Sequence, residues 1–247
     1  MRIDVIFGGA VAPSDVSGRV VAVIDVLRAS TSIAVALANG AKAVIPIESS
    51  DEVVTRAKAF ERSDVRLAGE RRMLPISGFD LGNSPGQFIP AAVEGKTILM
   101  TTTNGTAAIV NTQGARDVVI ASYVNYTAVL TMLRTALRGG TDITLVCAGR
   151  ERQFALEDAG CAGRFVTSVS KRLMGVETND AAQACALIDR RYGERILRLF
   201  EASEHGRALR DAGFGQDLET CAAVDSYSVI PLYQDRQITK LGPDRER

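Results

Sequence analysis

The sequence has little of several features that define common protein classes. Its 247 residues include no tryptophan and one histidine, His205. Any Ser-His-Asp or Cys-His mechanism would therefore have to use that imidazole. No apolar run approaches the roughly 20 residues of a membrane helix, and residues 1–7 are too short and too charged for a signal peptide. We therefore expect a cytoplasmic protein with no membrane segment.

The charge is balanced and the cysteines are few. The 29 basic and 29 acidic side chains cancel, so there is no basic excess of the kind that binds nucleic acid or anionic membranes. We expect a small molecule as partner, and a homodimer as the assembly because paired subunits are common. The four cysteines show no C-x-x-C spacing, which favours buried free thiols over disulfides or a zinc site.

The segment of residues 20–37 organises the predicted fold. Residues 20–24 are apolar and mostly β-branched, which predicts a strand buried on both faces of a parallel sheet. Asp25 follows directly, and Arg28, Ser30 and Thr31 precede an alanine-rich stretch that predicts a helix. Ligands of open α/β sheets collect at the carboxyl ends of strands. The pattern indicates an anion or metal–phosphate site, although a capped helix with a surface Asp–Arg pair accounts for the same residues.

The pattern of the first part of the chain recurs further on. Strand-like residues 97–103 lead into Asn104 and Thr106, and GARDVV at 114–119 echoes GAKAVI at 40–45. We infer an α/β protein of two similar βαβαβ-like halves, an internal duplication, with a helical C-terminal segment. The predicted boundaries are 1–90, 91–178 and 179–247, with terminal strands packing back on the halves and the site in the cleft between them. The similarity that all βαβ units share is the alternative explanation.

Further acidic residues fall where such a site would need them. Glu70 follows a predicted strand at 65–68, ahead of a Gly-, Pro-, Asn- and Ser-rich loop. Glu157 and Asp158 open a predicted helix at 154–173, where the helix dipole alone would also favour them. Adjacent helical residues point about 100° apart, so we expect only one of these two to face a metal. Gly160 and Gly163 on the same helix suggest close approach to another backbone or a ligand.

Several motifs taken together resemble the 2-phosphosulfolactate phosphatase family. They are IDVLRASTSI, AGER, FDLGNSP, TTTNGT, CAGR with ALEDAGCAG, and SEHGRAL with GFGQDLETCAAVDSYSVIPLY. The resemblance implies a three-layer α/β/α fold and a magnesium-dependent phosphoric monoester hydrolase. That enzyme converts 2-phospho-3-sulfolactate to 3-sulfolactate and phosphate, a step associated with coenzyme M biosynthesis. A phosphatase for another small anionic organophosphate and a non-catalytic anion-binding protein of the same fold are the alternatives.

The residues at the predicted strand ends are assigned roles on this basis. Phosphoryl transfer needs a divalent cation, and magnesium prefers oxygen ligands. The expected metal ligands are Asp25, Glu70 and one of Glu157 and Asp158. The expected catalytic residues are Asp25, Arg28 and Asn104. The expected substrate contacts are Ser30, Thr31, Arg71, Asn83, Ser84, Thr103, Thr106 and Arg150.

The sequence leaves two candidates for the group that attacks phosphorus. Asp25 either forms an aspartyl phosphate or holds magnesium while water attacks. We favour water attack because the D-x-D-x-T pattern is absent after Asp25. His205 as a general acid is a further hypothesis. The last six residues, 242–247, are expected to be disordered.

Overall fold

The computed structural model describes residues 1–8, 11–171 and 173–242 of the chain. The strands of this part are β1 Arg2–Ile6, β2 Val20–Ile24, β3 Ala43–Pro46, β4 Val65–Arg71, β5 Leu74–Pro75, β6 Thr97–Thr101, β7 Asp117–Ala121, β8 Ile143–Cys147, β9 Glu177–Thr178, β10 Pro231–Gln234 and β11 Gln237–Lys240. They form one sheet in the order β5-β4-β6-β3-β11-β10-β7-β2-β8-β1-β9. The disorder expected for residues 242–247 falls, apart from Gly242, outside the described residues.

The sheet has a largely parallel body with β2 inside it. β2 pairs in parallel with β7 on one side and β8 on the other, and all five of its residues are buried, as predicted. The hairpin of β10 and β11 runs antiparallel and fills the place between β7 and β3. The C-terminal segment therefore joins the two parallel parts of the sheet.

Helices cover both faces of the sheet. Their bounds are α1 Pro13–Val16, α2 Ala29–Ala38, α3 Ser50–Ala57, α4 Pro90–Val93, α5 Gly105–Val110, α6 Tyr126–Arg138, α7 Leu156–Ser170, α8 Asp180–Tyr192, α9 Ile196–Ala202, α10 Glu204–Asp211 and α11 Gly215–Ala222. Ala22 and Ile24 pack in the core with α6 to α9. Val21 and Val23 point the other way, as strand alternation requires, and pack with α2 and α5. This arrangement confirms the three-layer α/β/α fold.

The two predicted halves contribute to the same sheet. Strands β1 to β5 come from residues 1–90 and β6 to β9 from residues 91–178. Strands of the two predicted halves are interleaved in the sheet, since β6 lies between β4 and β3, and β2 lies between β7 and β8. This arrangement does not confirm the internal duplication. The division of the chain after residues 90 and 178 stays a prediction.

Helix α7 packs unusually close to its neighbours. A Cβ added at Gly163 would lie 1.9 Å from the carbonyl oxygen of Cys185 on α8, and one at Gly160 would lie 2.4 Å from Leu199 on α9. These glycines therefore serve close packing, which agrees with the close approach expected for them. The helix itself is shorter than predicted at both ends.

The cysteines and the helix lengths bear on two further expectations. All four cysteines are buried free thiols, as predicted. Within the ranges 1–8, 11–171 and 173–242, no helix combines the length and apolar character needed to cross a membrane.

Candidate active site

A cleft of about 210 Å³ lies at the carboxyl ends of the parallel strands. Asp25 follows β2, Glu70 is the next-to-last residue of β4, and Asn104 follows β6. The lining residues are Asp25, Leu27, Arg28, Glu70, Arg72, Met73, Asn83, Thr103, Asn104, Arg150, Glu151 and His205. A wider cleft of about 1580 Å³ lies at the amino ends of β2 and β7, the edge where open α/β sheets do not hold their ligands. The smaller cleft is therefore the candidate site.

The turn from β2 into α2 fixes Asp25 through hydroxyl groups. The backbone N–H of Asp25 donates to Oγ of Ser30 at 2.9 Å, and Oδ1 of Asp25 accepts from the N–H of Ala29 at 3.2 Å. The hydroxyl of Thr31 donates to the carbonyl of Val26 at 2.9 Å. Ser30 and Thr31 are buried and lie behind the cleft wall. Their contacts stabilise the turn, and their role in binding substrate stays a prediction.

The surroundings of Asp25 disfavour the ionised form of its carboxyl group. Burial raises the pKa of Asp25 to about 6, against an ordinary value of 3.8. The positive charge of His205 acts in the opposite direction, while the carboxylates of Glu70 and Glu157 raise the pKa further. Three acidic groups thus concentrate negative potential at this point, an arrangement that attracts a cation.

Helix α5 begins directly against this carboxylate. A Cβ added at Gly105 would lie 2.6 Å from Oδ2 of Asp25 and 2.6 Å from the side chain of Ala29. Only glycine allows this approach. Two hydrogen bonds join Thr102 and Thr106. The backbone N–H of Thr106 donates to the hydroxyl of Thr102 at 3.1 Å, and the backbone N–H of Thr102 donates to the hydroxyl of Thr106 at 3.2 Å. Thr106 is therefore buried in the first turn of α5 and does not line the cleft.

Glu70 is oriented by the loop after β6. Its Oε1 accepts from the N–H of Thr103 at 2.7 Å, and its Oε2 accepts from the Thr103 hydroxyl at 3.1 Å and from the N–H of Met73 at 2.8 Å. The side chain of Asn104 accepts from the N–H of Glu151 at 2.9 Å. The loops after β4, β6 and β8 are thereby tied together around the cleft.

Arg28 is buried in the wall of the cleft and fully engaged. Its Nη1 donates to Oδ2 of Asp217 on α11 at 2.7 Å, and its Nη2 donates to the carbonyl of Met73 at 2.7 Å. The guanidinium also stacks 4.4 Å from the ring centre of Phe214. Ser84 donates its hydroxyl to the other oxygen of Asp217. Arg28 and Ser84 therefore fasten the cleft wall to α11.

The sequence gives no sign of this role for Asp217. The residue lies 189 positions from Arg28, and nothing in its local pattern distinguishes it from other acids on helices. A buried arginine requires an acidic partner. That requirement predicts that a partner exists, but only the packing of α11 identifies it.

The two acids at the start of α7 have different surroundings. The oxygens of Asp158 accept from the N–H groups of Val26 at 2.9 Å and Gly149 at 3.0 Å. Burial raises its pKa well above the usual range, and the charges of Glu157 and Asp25 add to this effect. Asp158 therefore links the ends of β2 and β8 from behind the cleft. Metal binding by Asp158 or by Glu157 stays a prediction.

His205 connects Glu157, the other acid at the start of α7, to the cleft. Its Nδ1 lies 3.1 Å from Oε1 of the buried Glu157, and its ring lines the cleft. Arg150 lines the cleft beside it and forms an ion pair with Glu204. Helix α10 of the C-terminal segment therefore supplies one wall of the site.

The structure brings together part of the predicted set. The predicted residues that line the cleft are Asp25, Arg28, Glu70, Asn83, Thr103, Asn104 and Arg150. The predicted residues outside its lining are Ser30, Thr31, Arg71, Ser84, Thr106, Glu157 and Asp158. The guanidinium of Arg71 donates to Oγ1 of Thr101 at 2.9 Å instead. Its neighbour Arg72 lines the cleft and was not predicted.

The oxygen donors of the cleft suit a magnesium ion that is held partly by its substrate. Within the part of the chain that the structure describes, no group of three or more His, Cys, Asp or Glu side chains is arranged so that it could hold a metal ion by itself. Asp25 and Glu70 nevertheless share the cleft, and Oδ1 of the 5% exposed Asn83 is buried without a hydrogen-bond partner. Magnesium is commonly held by one or two carboxylates, with water and substrate phosphate completing its shell. These donors fit that pattern, and magnesium stays a prediction.

Comparison with known proteins gives one consistent family. A sequence profile described as 2-phosphosulpholactate phosphatase matches residues 10–236. A probable 2-phosphosulfolactate phosphatase of Symbiobacterium thermophilum is 40% identical over 227 residues, which cover 92% of this chain and 96% of the relative. Proteins of the same name from Caldanaerobacter subterraneus and Clostridium botulinum are 36% and 34% identical. These matches cover 88% and 98% of this chain, and 88% and 100% of the relatives.

Proposed function

The chain belongs to the 2-phosphosulfolactate phosphatase family, and on that premise we propose that its cleft hydrolyses 2-phospho-3-sulfolactate to 3-sulfolactate and phosphate. We propose magnesium as the cofactor and a cytoplasmic homodimer as the working form. The observation that carries the proposal is the meeting of Asp25 and Glu70 in one small cleft at the carboxyl ends of the strands.

The size and charge of the cleft support a small anionic substrate. At about 210 Å³ it is smaller than the roughly 300 to 1,000 Å³ typical of pockets for drug-sized ligands. The cationic side chains in its lining are Arg28, Arg72, Arg150 and His205, the last when protonated. Arg28 and Arg150 are paired with Asp217 and Glu204, whereas Arg72 has no such partner among the residues that the structure describes and offsets the negative charge of a phosphorylated acid. The carboxylates of Asp25 and Glu70 are available to a cation.

The residues around the cation site have separable tasks. Asp25 is held by the N–H of Ala29, and Glu70 by Thr103. A magnesium ion bound to these carboxylates would neutralise the non-bridging oxygens of the phosphoryl group. We favour attack by water over attack by Asp25, since the sequence pattern of aspartyl-phosphate enzymes is absent. Asn104 is fixed by its hydrogen bond to the loop after β8 and lines the same cleft, and we assign it to contact with the phosphoryl group.

The direct test measures phosphate release from 2-phosphosulfolactate with EDTA, and again after magnesium is restored. We expect loss of activity in EDTA and its recovery with magnesium. Asp25→Asn is expected to lower kcat/KM by about 100-fold or more, in the range seen when a group that stabilises the transition state is removed. Asp235→Asn is the matched control, because Asp235 is exposed in the turn between β10 and β11. Undiminished turnover by Asp25→Asn would contradict the assignment.

A panel of phosphorylated hydroxy acids separates the remaining alternatives. A phosphatase for another organophosphate would release phosphate faster from a different member of the panel. A non-catalytic anion-binding protein would bind these compounds, as measured by calorimetry, without releasing phosphate from any of them. The proposed function requires that 2-phosphosulfolactate have the highest kcat/KM.

A further inference from the structure

The two residues that connect β4 to β5 adopt a conformation that favours glycine or asparagine. Arg72 has φ 49° and Met73 has φ 75°, so both are left-handed, as in the tight turns of hairpins. Cleft residues hold the turn from both sides. The N–H of Met73 donates to Glu70 at 2.8 Å, and its carbonyl accepts from Arg28 at 2.7 Å. Non-glycine residues in such conformations are concentrated at functional sites.

The turn places an unpaired cation in the lining of the cleft. Three arginines line it, and two of them have acidic partners: Arg28 pairs with Asp217, and Arg150 pairs with Glu204. Arg72 has no hydrogen bond or ion pair with any residue that the structure describes. Among these three arginines, it is therefore the one whose charge is free to meet a ligand.

The chemistry of the proposed substrate indicates which group Arg72 meets. The carboxylate is attached to the carbon that bears the phosphate, and the sulfonate lies one bond further away. Arg72 is exposed and lines the cleft with a long side chain, so its guanidinium is available to a substrate group that extends toward the mouth of the cleft. A guanidinium presents a planar set of donors that suits a tetrahedral oxyanion. The weakly basic sulfonate has little affinity for magnesium and is better matched by an arginine.

We propose that Arg72 is a specificity-determining residue that binds the sulfonate of the substrate. The inference rests on the proposed function and deepens it. It assigns discrimination between sulfonated and unsulfonated phosphoesters to a residue that neither the motifs nor the comparisons single out.

The test uses three substrates that differ in one anionic group. They are 2-phosphosulfolactate, 2-phospholactate without the sulfonate, and 2-(phosphonooxy)propane-1-sulfonate without the carboxylate. Arg72→Gln is expected to lower kcat/KM by about 10- to 100-fold for both sulfonated compounds, the value of one hydrogen bond between charged groups. For 2-phospholactate the change should stay below about 2-fold. Arg72→Lys, which keeps the charge, should recover part of the loss.

Two measurements keep this inference separate from the proposed function. Arg66→Gln is the control, since Arg66 lies on the strand β4 that leads into the turn, is outside the cleft lining and donates to the carbonyl of Val65. Binding of the product 3-sulfolactate, followed by calorimetry, reports the sulfonate contact without turnover. Failure of the wild type to release phosphate from 2-phosphosulfolactate would overturn the proposed function. Equal 3-sulfolactate affinity in wild type and Arg72→Gln would overturn the role of Arg72, as would a loss that is equal for all three substrates or limited to those with a carboxylate.

Discussion

Replacing Asp25 by asparagine should stabilise the metal-free protein while it removes activity. The carboxylate is buried and faces the negative charges of Glu70 and Glu157, and these effects together raise its pKa to about 6. The one hydrogen bond to its side chain from the described residues uses Oδ1, which accepts from the N–H of Ala29. Asparagine keeps that acceptor and removes the charge.

The magnitude follows from the displaced pKa. Moving it from 3.8 to about 6 costs the folded state about 3 kcal/mol when Asp25 is ionised, since each tenfold change in proton affinity is about 1.4 kcal/mol. The folded pKa lies above the unfolded one, so the folded state holds its proton more tightly. Stability is therefore lost as the pH rises from about 4 to about 6. The Asp25→Asn variant does not lose this stability, because asparagine carries no ionisable group.

Urea unfolding in EDTA checks the prediction at two pH values. At pH 7.5 the Asp25→Asn variant should exceed the wild type by up to about 3 kcal/mol, and at pH 5 by about half as much. Magnesium should then raise the stability of the wild type more than that of the variant, because ligand binding stabilises the state that binds. Asp235→Asn should match the wild type throughout. A variant no more stable than the wild type at pH 7.5 would refute this account of the charge cluster.

Two further predictions concern packing and the buried ion pair, and urea unfolding measures both. Gly163→Ala should lower the free energy of unfolding by about 2 kcal/mol or more, because the added methyl collides with a backbone carbonyl of α8. Its control is Gly86→Ala, which has open space around it and should change the free energy of unfolding by less than about 1 kcal/mol. Asp217→Asn should lower the free energy of unfolding by about 3 to 5 kcal/mol, because Arg28 then stays buried without its counter-charge. Its control is Asp211→Asn, which alters an exposed residue and should leave the free energy of unfolding nearly unchanged.

The main features of the fold can be predicted from the sequence because they follow from local patterns. The five apolar residues of β2 require cover on both faces, and the acid that follows them marks the edge where ligands bind. The place of the C-terminal hairpin cannot be predicted in this way. β10 and β11 separate β3 from β7, and this order depends on long-range pairing that no short stretch encodes.

The candidate site shows the same division. Asp25, Glu70 and Asn104 could be identified because each follows a recognisable strand, and they line one cleft. The predicted strand end indicates Arg71 as a substrate contact, yet the left-handed turn after β4 directs Arg72 to the cleft. Sequence spacing does not reveal such a turn when neither residue is glycine or asparagine.

The contacts of Arg28 explain why a buried ion pair is present in the cleft wall. Such pairs commonly contribute less stability than apolar residues of the same size, so stability alone does not account for Asp217. Arg28 instead connects α11 to the carbonyl of Met73, and Met73 belongs to the turn that presents Arg72. If Arg28 acted only by binding substrate, the loss of Asp217 would free its charge and strengthen anion binding. Because Arg28 also positions the turn, the same loss should weaken discrimination in favour of the sulfonate.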